Sequence, residues 1–245
     1  MLDSRNETSG RFSTTPLYLQ LRDALAERIA TGVWRPGAAI PNEGDLAREF
    51  GVSAGTMRKA LDLLEREHFV TRRQGRGTFV NDQSSGELAF RFINIRGPNG
   101  ERLIGEGESA GITEGAANEM ECARLCLRTE DRVYRTRQVR LIDKQPFMFE
   151  EASMPVRLFP GLERLSSFTH RIVCLAQEHG VLLGRAEERI SVGAASPDVA
   201  EALSIAPGSP VAMLDRVVRA IDGRCVEWRI AWCQLAKNYY LAQMD

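Results

Sequence analysis

The apolar positions in the first 80 residues recur at the spacing of amphipathic helices. One stripe, with apolar residues four apart, consists of Leu17, Leu21, Leu25 and Ile29. A second stripe follows the i, i+3, i+4, i+7 spacing that buries one face of a helix, at Met57, Ala60, Leu61 and Leu64. The polar residues Arg58, Lys59 and Asp62 fall off this stripe. The pattern therefore predicts two helices, the second with a polar first turn facing solvent.

The residues between these stripes are typical of a helix-turn-helix. Ala47 is small enough for two helices to cross closely, and Gly51 supplies a turn conformation that a residue with a Cβ resists. Val52 then fills the corner, and Ser53 can cap the next helix by accepting a hydrogen bond from a free backbone N–H. Because the start of the second helix of such a motif enters the major groove of DNA, this stretch predicts a DNA-binding unit.

Residues 69–80 predict a β-hairpin. Two runs of β-forming residues flank a Gln-Gly-Arg-Gly tip at 74–77, whose glycines supply the positive φ that tight turns need. Arg72, Arg73 and Arg76 lie on or beside this tip. We interpret the hairpin as a basic wing that binds the phosphate backbone or reaches into the minor groove.

From residue 88 onward, segments with strand-like alternation are mixed with short helical segments. We predict strands at 90–95, 133–142, 147–154, 183–193, 211–221 and 224–235, and helices at 116–127, 169–179 and 197–203. The order of helix, turn and long hairpin in residues 119–143 returns in residues 197–222. This repeat indicates a pseudo-twofold domain in which helices pack on an antiparallel sheet, so the fold class is α+β.

The chain divides into two domains at a polar, aperiodic stretch, residues 81–88. We expect a disordered tail at 1–13, a winged helix-turn-helix DNA-binding domain at 14–80, this linker at 81–88, and a larger sheet domain at 89–245. Because the linker is short, the second domain must lie close to bound DNA.

Length and composition are those of a globular protein. The 245 residues are 43% hydrophobic and 27% charged, and no apolar run approaches the roughly 20 residues that span a bilayer. The first ten residues lack the apolar segment of a signal peptide, so we expect a cytoplasmic protein that has no membrane partner.

Five cysteines do not make a disulfide framework. We interpret Cys122 and Cys126 as buried small hydrophobic residues rather than metal or redox groups, and we expect no cofactor.

The net charge of −1 conceals an uneven distribution. Residues 11–80 carry eleven Lys/Arg against eight Asp/Glu, whereas residues 81–245 carry twenty against twenty-three. The positive excess therefore lies in the segment that is predicted to contact DNA, where attraction to phosphates needs it.

Residues 16–80 resemble the winged-helix domain of GntR-family transcription regulators. The resemblance is carried by Pro16-Leu17-Tyr18, Gly32, Pro36-Gly37, Pro41-Asn42-Glu43, Val52-Ser53, and residues 56–61 and 74–80. Together with the helix-turn-helix and the wing, it implies a double-stranded DNA operator as partner. The predicted DNA contacts are Asn42, Glu43, Ser53, Ala54, Gly55, Thr56, Arg58, Lys59, Arg72, Arg73, Gln74, Gly75 and Arg76.

Two positions depart from the family's pattern. An arginine often follows the Glu of its Pro-x-Glu motif, and another often follows Val-Ser, but here those positions are Gly44 and Ala54. Arg58 is the groove arginine that is kept, and a bidentate contact of arginine to guanine contributes about 1–3 kcal/mol of discrimination. The operator therefore need not follow the family's commonest half-site, and Lys59, Ser53, Thr56 and the wing must carry more of the contact.

Residues 89–240 resemble the effector domain of the HutC branch of GntR regulators, called UTRA, which has a chorismate-lyase-like fold. The resemblance is carried by Val133-Tyr134, Arg140, Pro146, Glu150, Pro155, Gly180, Val226-Glu227, and residues 158–162, 186–188 and 207–210. In that family a small molecule lies between the sheet and the helices, so the resemblance implies a small-molecule effector. The positions that match the family's ligand contacts are Arg140, Glu150, His170 and Glu227.

The effector positions also depart from the family. Members that sense sugar phosphates tend to have two arginines, two apart, on the first long hairpin, and the earlier one here is Gln138. The Ser-x-Tyr that often opens the middle helix is His170-Arg171-Ile172, and the tyrosine common after the last glutamate is Trp228. Part of an anion cradle is missing, so a carboxylate or amino-acid-like metabolite fits at least as well as a phosphosugar. Gln138 and Trp228 join the candidate effector residues.

Each effector candidate also has a structural interpretation. Arg140 can pair with a glutamate across the sheet, and His170 can be an exposed residue at a helix start. Glu150 and Glu227 need a partner that is a ligand, an arginine or water, because burying an unpaired carboxylate is costly.

The function that the sequence favours is a ligand-responsive repressor that binds a palindromic operator as a homodimer. An enzyme is a second hypothesis, because the effector fold is shared with a lyase. However, no Gly-x-Ser-x-Gly, P-loop, metal cluster or Cys/His pair is visible in the sequence, so we predict no catalytic and no metal-binding residues. A third hypothesis is an adaptor that has lost DNA binding, motivated by Gly44 and Ala54.

Overall fold

The computed structural model describes residues 15–164 and 171–242. An N-terminal unit of three helices and a hairpin precedes a C-terminal unit built on a six-stranded sheet. The helices in the described ranges are α1 (Leu17–Ala30), α2 (Glu43–Glu49), α3 (Ala54–Arg66), α4 (Glu119–Leu125), α5 (Ile172–Glu178) and α6 (Pro197–Leu203). The strands there are β1 (Val70–Arg73), β2 (Gly77–Val80), β3 (Ile95–Arg96), β4 (Glu106–Ala116), β5 (Arg132–Ile142), β6 (Gln145–Pro155), β7 (Leu183–Ala194), β8 (Pro210–Ala220), β9 (Cys225–Cys233) and β10 (Tyr239–Tyr240). The predicted tail lies outside these ranges. No helix within them is both long and apolar enough to cross a lipid bilayer.

Helices α1, α2 and α3 enclose the core of the N-terminal unit, and the helix-turn-helix prediction is confirmed. The predicted apolar residues of α3 are all buried, namely Met57, Ala60, Leu61 and Leu64. Ala47 is buried in the same core, and Val52 packs against it from the turn. Gly51 has a φ of 63°, a backbone conformation that a Cβ disfavours.

The predicted hairpin is confirmed, and the connector between α1 and α2 adds an isolated β-bridge to it. Strands β1 and β2 pair antiparallel, with Val70 opposite Val80. Ala39 forms a β-bridge to Phe79, and the backbone N–H of Ile40 donates to the carbonyl of Thr78 at 2.9 Å. The wing is therefore fixed to the helical core along its second strand.

The C-terminal sheet is antiparallel, with strand order β4-β5-β6-β9-β8-β7. The order is symmetric about the β6/β9 pair, because strand, helix and hairpin follow one another in both halves of the domain. Helices α4 and α6 are each seven residues long and begin at a side-chain cap, Asn118 and Ser196. Both end at a left-handed residue, Cys126 and Ser204. The internal repeat is confirmed, and it includes a strand before each helix.

The strand predicted at 90–95 is wrong. A 3₁₀ turn, Gly86–Phe90, occupies its start, and only Ile95 and Arg96 pair as a strand, with β10. The alternation arises because Phe92 packs against the core from an irregular segment. The true edge strand, β4, was not predicted because its glycines and charged residues have low β-propensity. It is held by its pairing with β5.

The interpretation of Cys126 as a buried residue is also wrong, and Cys122 is only half-buried. Cys126 is the exposed C-cap of α4, in the left-handed conformation. Its Sγ lies 3.6 Å from the Sγ of Cys225 at the start of β9. A small side chain with αL geometry is required here for the chain to turn from α4 into β5.

The stretch predicted as the linker is held between the two units. The backbone N–H of Ser84 donates to Gln177 Oε1 at 3.0 Å, and Gln177 Nε2 donates to Asp82 Oδ1 at 3.0 Å. Leu182 and Ile221 of the C-terminal unit pack against the helical core of the N-terminal unit. Helix α5, which carries Gln177, is therefore in contact with the segment that directly follows the wing.

Candidate functional site

The first turn of α3 is presented to solvent. Ser53 Oγ accepts a hydrogen bond from the backbone N–H of Thr56 at 3.2 Å, which fixes the start of the helix. Ser53, Ala54, Gly55, Arg58 and Lys59 are exposed, and Thr56 is half-buried. Asn42 caps α2 in the same way, through the N–H of Asp45 at 2.9 Å. The structure thus brings together, on one surface, the residues that were predicted to enter the groove.

Arg58 is held in place by Glu43 on the preceding helix. Arg58 Nη2 lies 2.9 Å from Glu43 Oε1, and Arg58 Nε donates to Glu43 Oε2 at 3.3 Å. This hydrogen-bonded pair raises the pKa of Arg58 above its ordinary value, so the guanidinium stays charged. The Arg58 side chain is still 65% exposed. Glu43 is therefore suited to orient Arg58 toward a base rather than to contact DNA as an acceptor.

The three wing arginines have different surroundings. Arg72 pairs with Asp62 and with Glu65 on α3, so its charge is neutralised inside the unit. The Arg73 guanidinium stacks 4.8 Å from the ring centre of Phe79. Arg76 is exposed at the tip. Gln74 and Gly75 are exposed there too, and Gly75 has a φ of 69°. Arg76 is consequently the wing cation best placed to meet a phosphate.

The C-terminal unit contains a cavity between the sheet, α5 and the segment around β3. Four of the predicted effector residues line it together: Gln138, Arg140, Glu150 and Glu227. All four come from strands β5, β6 and β9, on which side chains two residues apart share a face of the sheet. The sheet therefore turns these polar side chains into one cavity.

Glu150 is the electrostatic centre of this cavity. It is 2% exposed, and its oxygens accept hydrogen bonds from Arg140 Nε at 2.7 Å and from Arg229 Nη1 at 2.8 Å. Burial alone would raise the pKa of Glu150, but Arg140, Arg229 and Arg216 outweigh it and hold that pKa below its ordinary value. The pairing of Arg140 with a glutamate across the sheet, one of its two predicted roles, is confirmed.

A second charged row crosses the neighbouring strands. Glu188, Arg216 and Arg229 lie opposite one another on β7, β8 and β9. Arg229 Nη2 donates to Glu188 Oε1 at 3.2 Å, and Arg216 Nη2 donates to Glu227 Oε2 at 3.0 Å. The other Glu188 oxygen accepts from the Tyr240 hydroxyl at 2.6 Å. Arg229 therefore joins Glu150 and Glu188, which belong to the two halves of the sheet, and Arg216 and Glu227 form a separate ion pair beside them.

Two effector candidates are not part of this arrangement. Trp228 follows Glu227 on β9 and therefore points to the opposite face of the sheet. There its Nε1 donates to Asp215 Oδ1 at 2.9 Å, and Arg124 lies over its ring. This placement argues against Trp228 as an effector contact. His170 lies outside the described residues.

Arg171, Glu188, Arg216 and Arg229 were not predicted as site residues, although they line the cavity. A signal for two of them was present in the sequence. Arg229 stands two residues after Glu227 and Arg216 stands in an apolar run, and a charged residue on the inward face of a strand requires a partner. Which partner it finds depends on strand register, which the sequence does not reveal.

A winged helix-turn-helix joined to an antiparallel-sheet unit with a buried polar cavity is the architecture of a DNA-binding regulator with an effector domain. Residues 17–80 match the family described as bacterial regulatory proteins of the gntR family, and residues 108–237 match the UTRA domain. The chain belongs to the GntR-family transcriptional regulators of the HutC type, which bind DNA through the first domain and small-molecule effectors through the second. These families and relatives are regulators, not enzymes.

Curated relatives cover most of the chain. MngR of Escherichia coli strain K12, a mannosyl-D-glycerate transport/metabolism system repressor, is 29% identical over 216 residues, which span 87% of this chain and 89% of MngR. The transcriptional regulator Rv0792c of Mycobacterium tuberculosis is 30% identical over 237 residues, which span 87% of this chain and 80% of Rv0792c. The repressor NagR of Bacillus subtilis is 28% identical over 223 residues, which span 88% of this chain and 89% of NagR.

Solved structures share the fold. YydK of Bacillus subtilis superposes with a TM-score of 0.54 at 18% identity, covering 94% of this chain and all of its own. PhnF of Mycobacterium smegmatis superposes with a TM-score of 0.55 at 22% identity, covering 91% of this chain and 98% of its own. This chain therefore shares its fold with both solved structures.

Proposed function

We propose that this protein is a repressor that binds a palindromic operator as a homodimer and releases it when a small metabolite enters the cavity of the second domain. The observation that supports this proposal most directly is the position of helix α5. One end of α5 lies at the cavity, and the other end contacts residues 82–84, which follow the wing. Ile172 and Val173 line the cavity, whereas Gln177 hydrogen-bonds with Asp82 and Ser84. A ligand that shifts α5 would therefore move the DNA-binding domain.

The DNA-binding end of the proposal rests on two kinds of contact. Arg58, held by Glu43, is suited to read a guanine edge, and Lys59 beside it adds a second cation to the same turn. Arg73 and Arg76 of the wing supply charges for the phosphates. With Gly44 and Ala54 in place of two arginines, fewer base edges are read directly, so the wing contributes a larger share of the affinity.

Replacing Arg76 with Ala is expected to weaken binding to all duplexes by a similar factor. The reason is that a phosphate contact carries no sequence information. The slope of log affinity against log salt should become shallower by about 0.9 for each lost contact. Fluorescence anisotropy on specific and random duplexes at several salt concentrations measures both quantities.

Arg72→Ala provides the comparison for that experiment, because Arg72 is already paired with Asp62 and Glu65. It should change the salt slope less than Arg76→Ala does. An Arg76→Ala protein with the slope of the parent would mean that the wing does not lie on the backbone.

Replacing Gln177 with Ala is expected to separate ligand binding from DNA release. Without this side chain the bonds to Asp82 and Ser84 are lost, while the cavity lining is unchanged. Coupling between two sites typically changes affinity by a factor of about 5–150. In the variant, the factor by which the metabolite weakens operator binding should lie near the lower end of this range. The measurement is the operator affinity with and without a metabolite that releases the parent.

The neighbouring Glu178→Ala is the matched control, because Glu178 is exposed on the same helix. It should release the operator as the parent does. If Gln177→Ala is also released like the parent, α5 does not transmit the signal through this contact.

The homodimer follows from the geometry of palindromic operators, whose half-sites require two copies of the reading helix about one helical turn apart. The outer strand β7 carries the exposed apolar side chains of Ile190 and Val192, which offer a second copy a surface to bind. The relatives MngR and NagR are repressors by name.

The experiment that tests the proposed function is selection of duplexes from a random pool by the full-length protein. The expected product is an inverted repeat that binds two chains by mass photometry. Enrichment of a site without symmetry, bound by one chain, would contradict the homodimer. An operator complex that is insensitive to every metabolite in a broad panel would contradict the ligand-released repressor.

A further inference from the structure

The cavity of the second domain holds more positive than negative side chains. Among the described residues that line it, six belong to the ion pairs described above: Arg140, Glu150, Glu188, Arg216, Glu227 and Arg229. Each of the three carboxylates accepts a hydrogen bond from at least one of the three guanidinium groups. These six charges therefore compensate one another. A fourth arginine, Arg171, lines the same cavity.

Arg171 has no carboxylate partner in the described part of the chain. Its guanidinium lies 4.4 Å from the ring centre of Phe90, and its Nε is buried with no hydrogen-bond partner among the residues that the structure describes. The undescribed stretch 165–170, Leu-Ser-Ser-Phe-Thr-His, contains no Asp or Glu. Burial lowers the pKa of Arg171, and so does the neighbouring charge of Arg140, whereas the Cys174 thiol raises that pKa without cancelling the shift. An anion beside Arg171 would remove this penalty.

The cavity also contains an acceptor that lacks a donor. Gln138 is 5% exposed, and its Oε1 is buried without a hydrogen-bond partner among residues 15–164 and 171–242. A buried amide oxygen is costly to leave unsatisfied. A ligand hydroxyl or N–H in the cavity would satisfy it, because Gln138 lines the same space as Arg171.

The excess of one positive charge in the cavity favours a ligand with one negative charge over a ligand with two. A single uncompensated guanidinium is neutralised by one negative charge, whereas a phosphate ester carries about −1.5 to −2 at neutral pH. The second charge of a phosphate would be buried without a cation, which is unfavourable. A carboxylate carries one charge, and its planar pair of oxygens matches the donor geometry of a guanidinium.

We propose that the effector is a hydroxylated monocarboxylate, with Arg171 binding its carboxylate and Gln138 accepting a hydrogen bond from one of its hydroxyls. This inference rests on the proposed function, because it names the class of metabolite that releases the operator. It makes Arg171 a specificity-determining residue that selects one negative charge over two.

The test uses the full-length protein and matched sets of probes. Each set contains a monocarboxylate, its neutral polyol or sugar and its phosphate ester: glycerate, glycerol and glycerol 3-phosphate; gluconate, glucose and glucose 6-phosphate; galactonate, galactose and galactose 6-phosphate. In at least one set the monocarboxylate should raise Tm while the other two members do not, because a ligand stabilises the folded state that binds it. Isothermal titration then gives the Kd of that compound.

Variants identify the residue responsible. Arg171→Gln should weaken binding of the monocarboxylate by about 10- to 100-fold, the effect of losing a charged hydrogen bond. Arg171→Lys keeps the charge and should recover part of the affinity. Arg189→Gln, on the outer strand β7 and outside the cavity, should bind like the parent.

Three results would overturn the inference: no monocarboxylate in the panel raises Tm, a phosphate ester or neutral sugar is the stronger ligand, or Arg171→Gln binds the monocarboxylate as tightly as the parent. DNA binding measured in parallel separates this inference from the proposed function. Release of the operator by a phosphate ester would support the proposed repressor and contradict a monocarboxylate effector. Binding of a monocarboxylate by a protein that binds no duplex DNA would support the effector class and contradict the proposed repressor.

Discussion

Replacing Glu150 with Gln is expected to lower the free energy of unfolding by about 3–5 kcal/mol, the effect of removing one partner from a buried ion pair. The carboxylate is nearly inaccessible to water and hydrogen-bonds to both Arg140 and Arg229. Without it, these two guanidinium groups stay buried with their charge only partly compensated. Chemical denaturation of the parent and the variant, followed by circular dichroism, measures the difference.

Glu151→Gln is the matched control, since Glu151 is the next residue on β6 and pairs with Arg137 at the surface. Exposed ion pairs contribute about 0–1 kcal/mol, so this variant should be close to the parent. A Glu150→Gln protein as stable as Glu151→Gln would show that the buried network contributes little to stability.

Acid should remove the advantage of the parent over Glu150→Gln. Because the pKa of Glu150 is lowered in the folded protein, its stabilising effect is complete above the ordinary glutamate pKa of about 4.3. That effect is lost as the pH falls through the lower folded pKa. The difference between the two proteins in free energy of unfolding should therefore shrink below about pH 4. A difference that grows on acidification would contradict a lowered pKa.

Replacing Arg58 with Ala is expected to abolish selective binding to the operator while leaving effector binding intact. A bidentate contact of arginine to guanine contributes about 1–3 kcal/mol for each base, and a dimer would lose the contact in both half-sites. Affinity for the operator should thus fall toward that for random DNA. Competition anisotropy with operator and random duplexes measures the ratio, and isothermal titration checks the effector.

Arg66→Ala controls for the loss of a positive charge on the same helix. Arg66 lies at the end of α3, about 12 Å along the helix axis from Arg58 at 1.5 Å per residue. It should keep the parent's selectivity. Equal affinity of Arg58→Ala and the parent for the operator would show that the first turn of α3 does not read the sequence.

The N-terminal domain could be predicted closely because its structure is encoded locally. The spacing of Met57, Ala60, Leu61 and Leu64 defines the buried face of α3, and Ser53 and Gly51 mark its start and the preceding turn. All of these signals lie within one or two helical turns of the residue that they position. The exposed position of Arg58 followed from the same periodicity.

The effector cavity could be predicted only in part, because its contacts join residues far apart in the chain. Arg229 meets Glu150 across 79 positions, and the guanidinium of Arg216 meets the carbonyl of Phe92 across 124. The family resemblance pointed to Arg140, Glu150 and Glu227, which do line one cavity. It did not indicate Arg171, whose proposed role rests on its having no carboxylate partner among the described residues.

Strand β4 at the edge of the sheet and the exposed Cys126 could not be predicted for a different reason. Strand β4 is stabilised by pairing with β5 rather than by its own sequence, so propensity pointed away from it. Cys126 is exposed because α4 ends there in a left-handed residue, a backbone feature that a helical pattern does not reveal.

We propose that the basic N-terminal domain binds duplex DNA and that the second domain controls this binding. The most direct measurement is the anisotropy of a labelled random-sequence duplex titrated with the full-length protein at increasing salt. We predict that the protein binds this duplex at low salt. The logarithm of the binding constant should fall linearly with the logarithm of the salt concentration, as counterion release requires. A protein that binds no duplex of any sequence in dilute buffer would contradict this claim and favour an adaptor that has lost DNA binding.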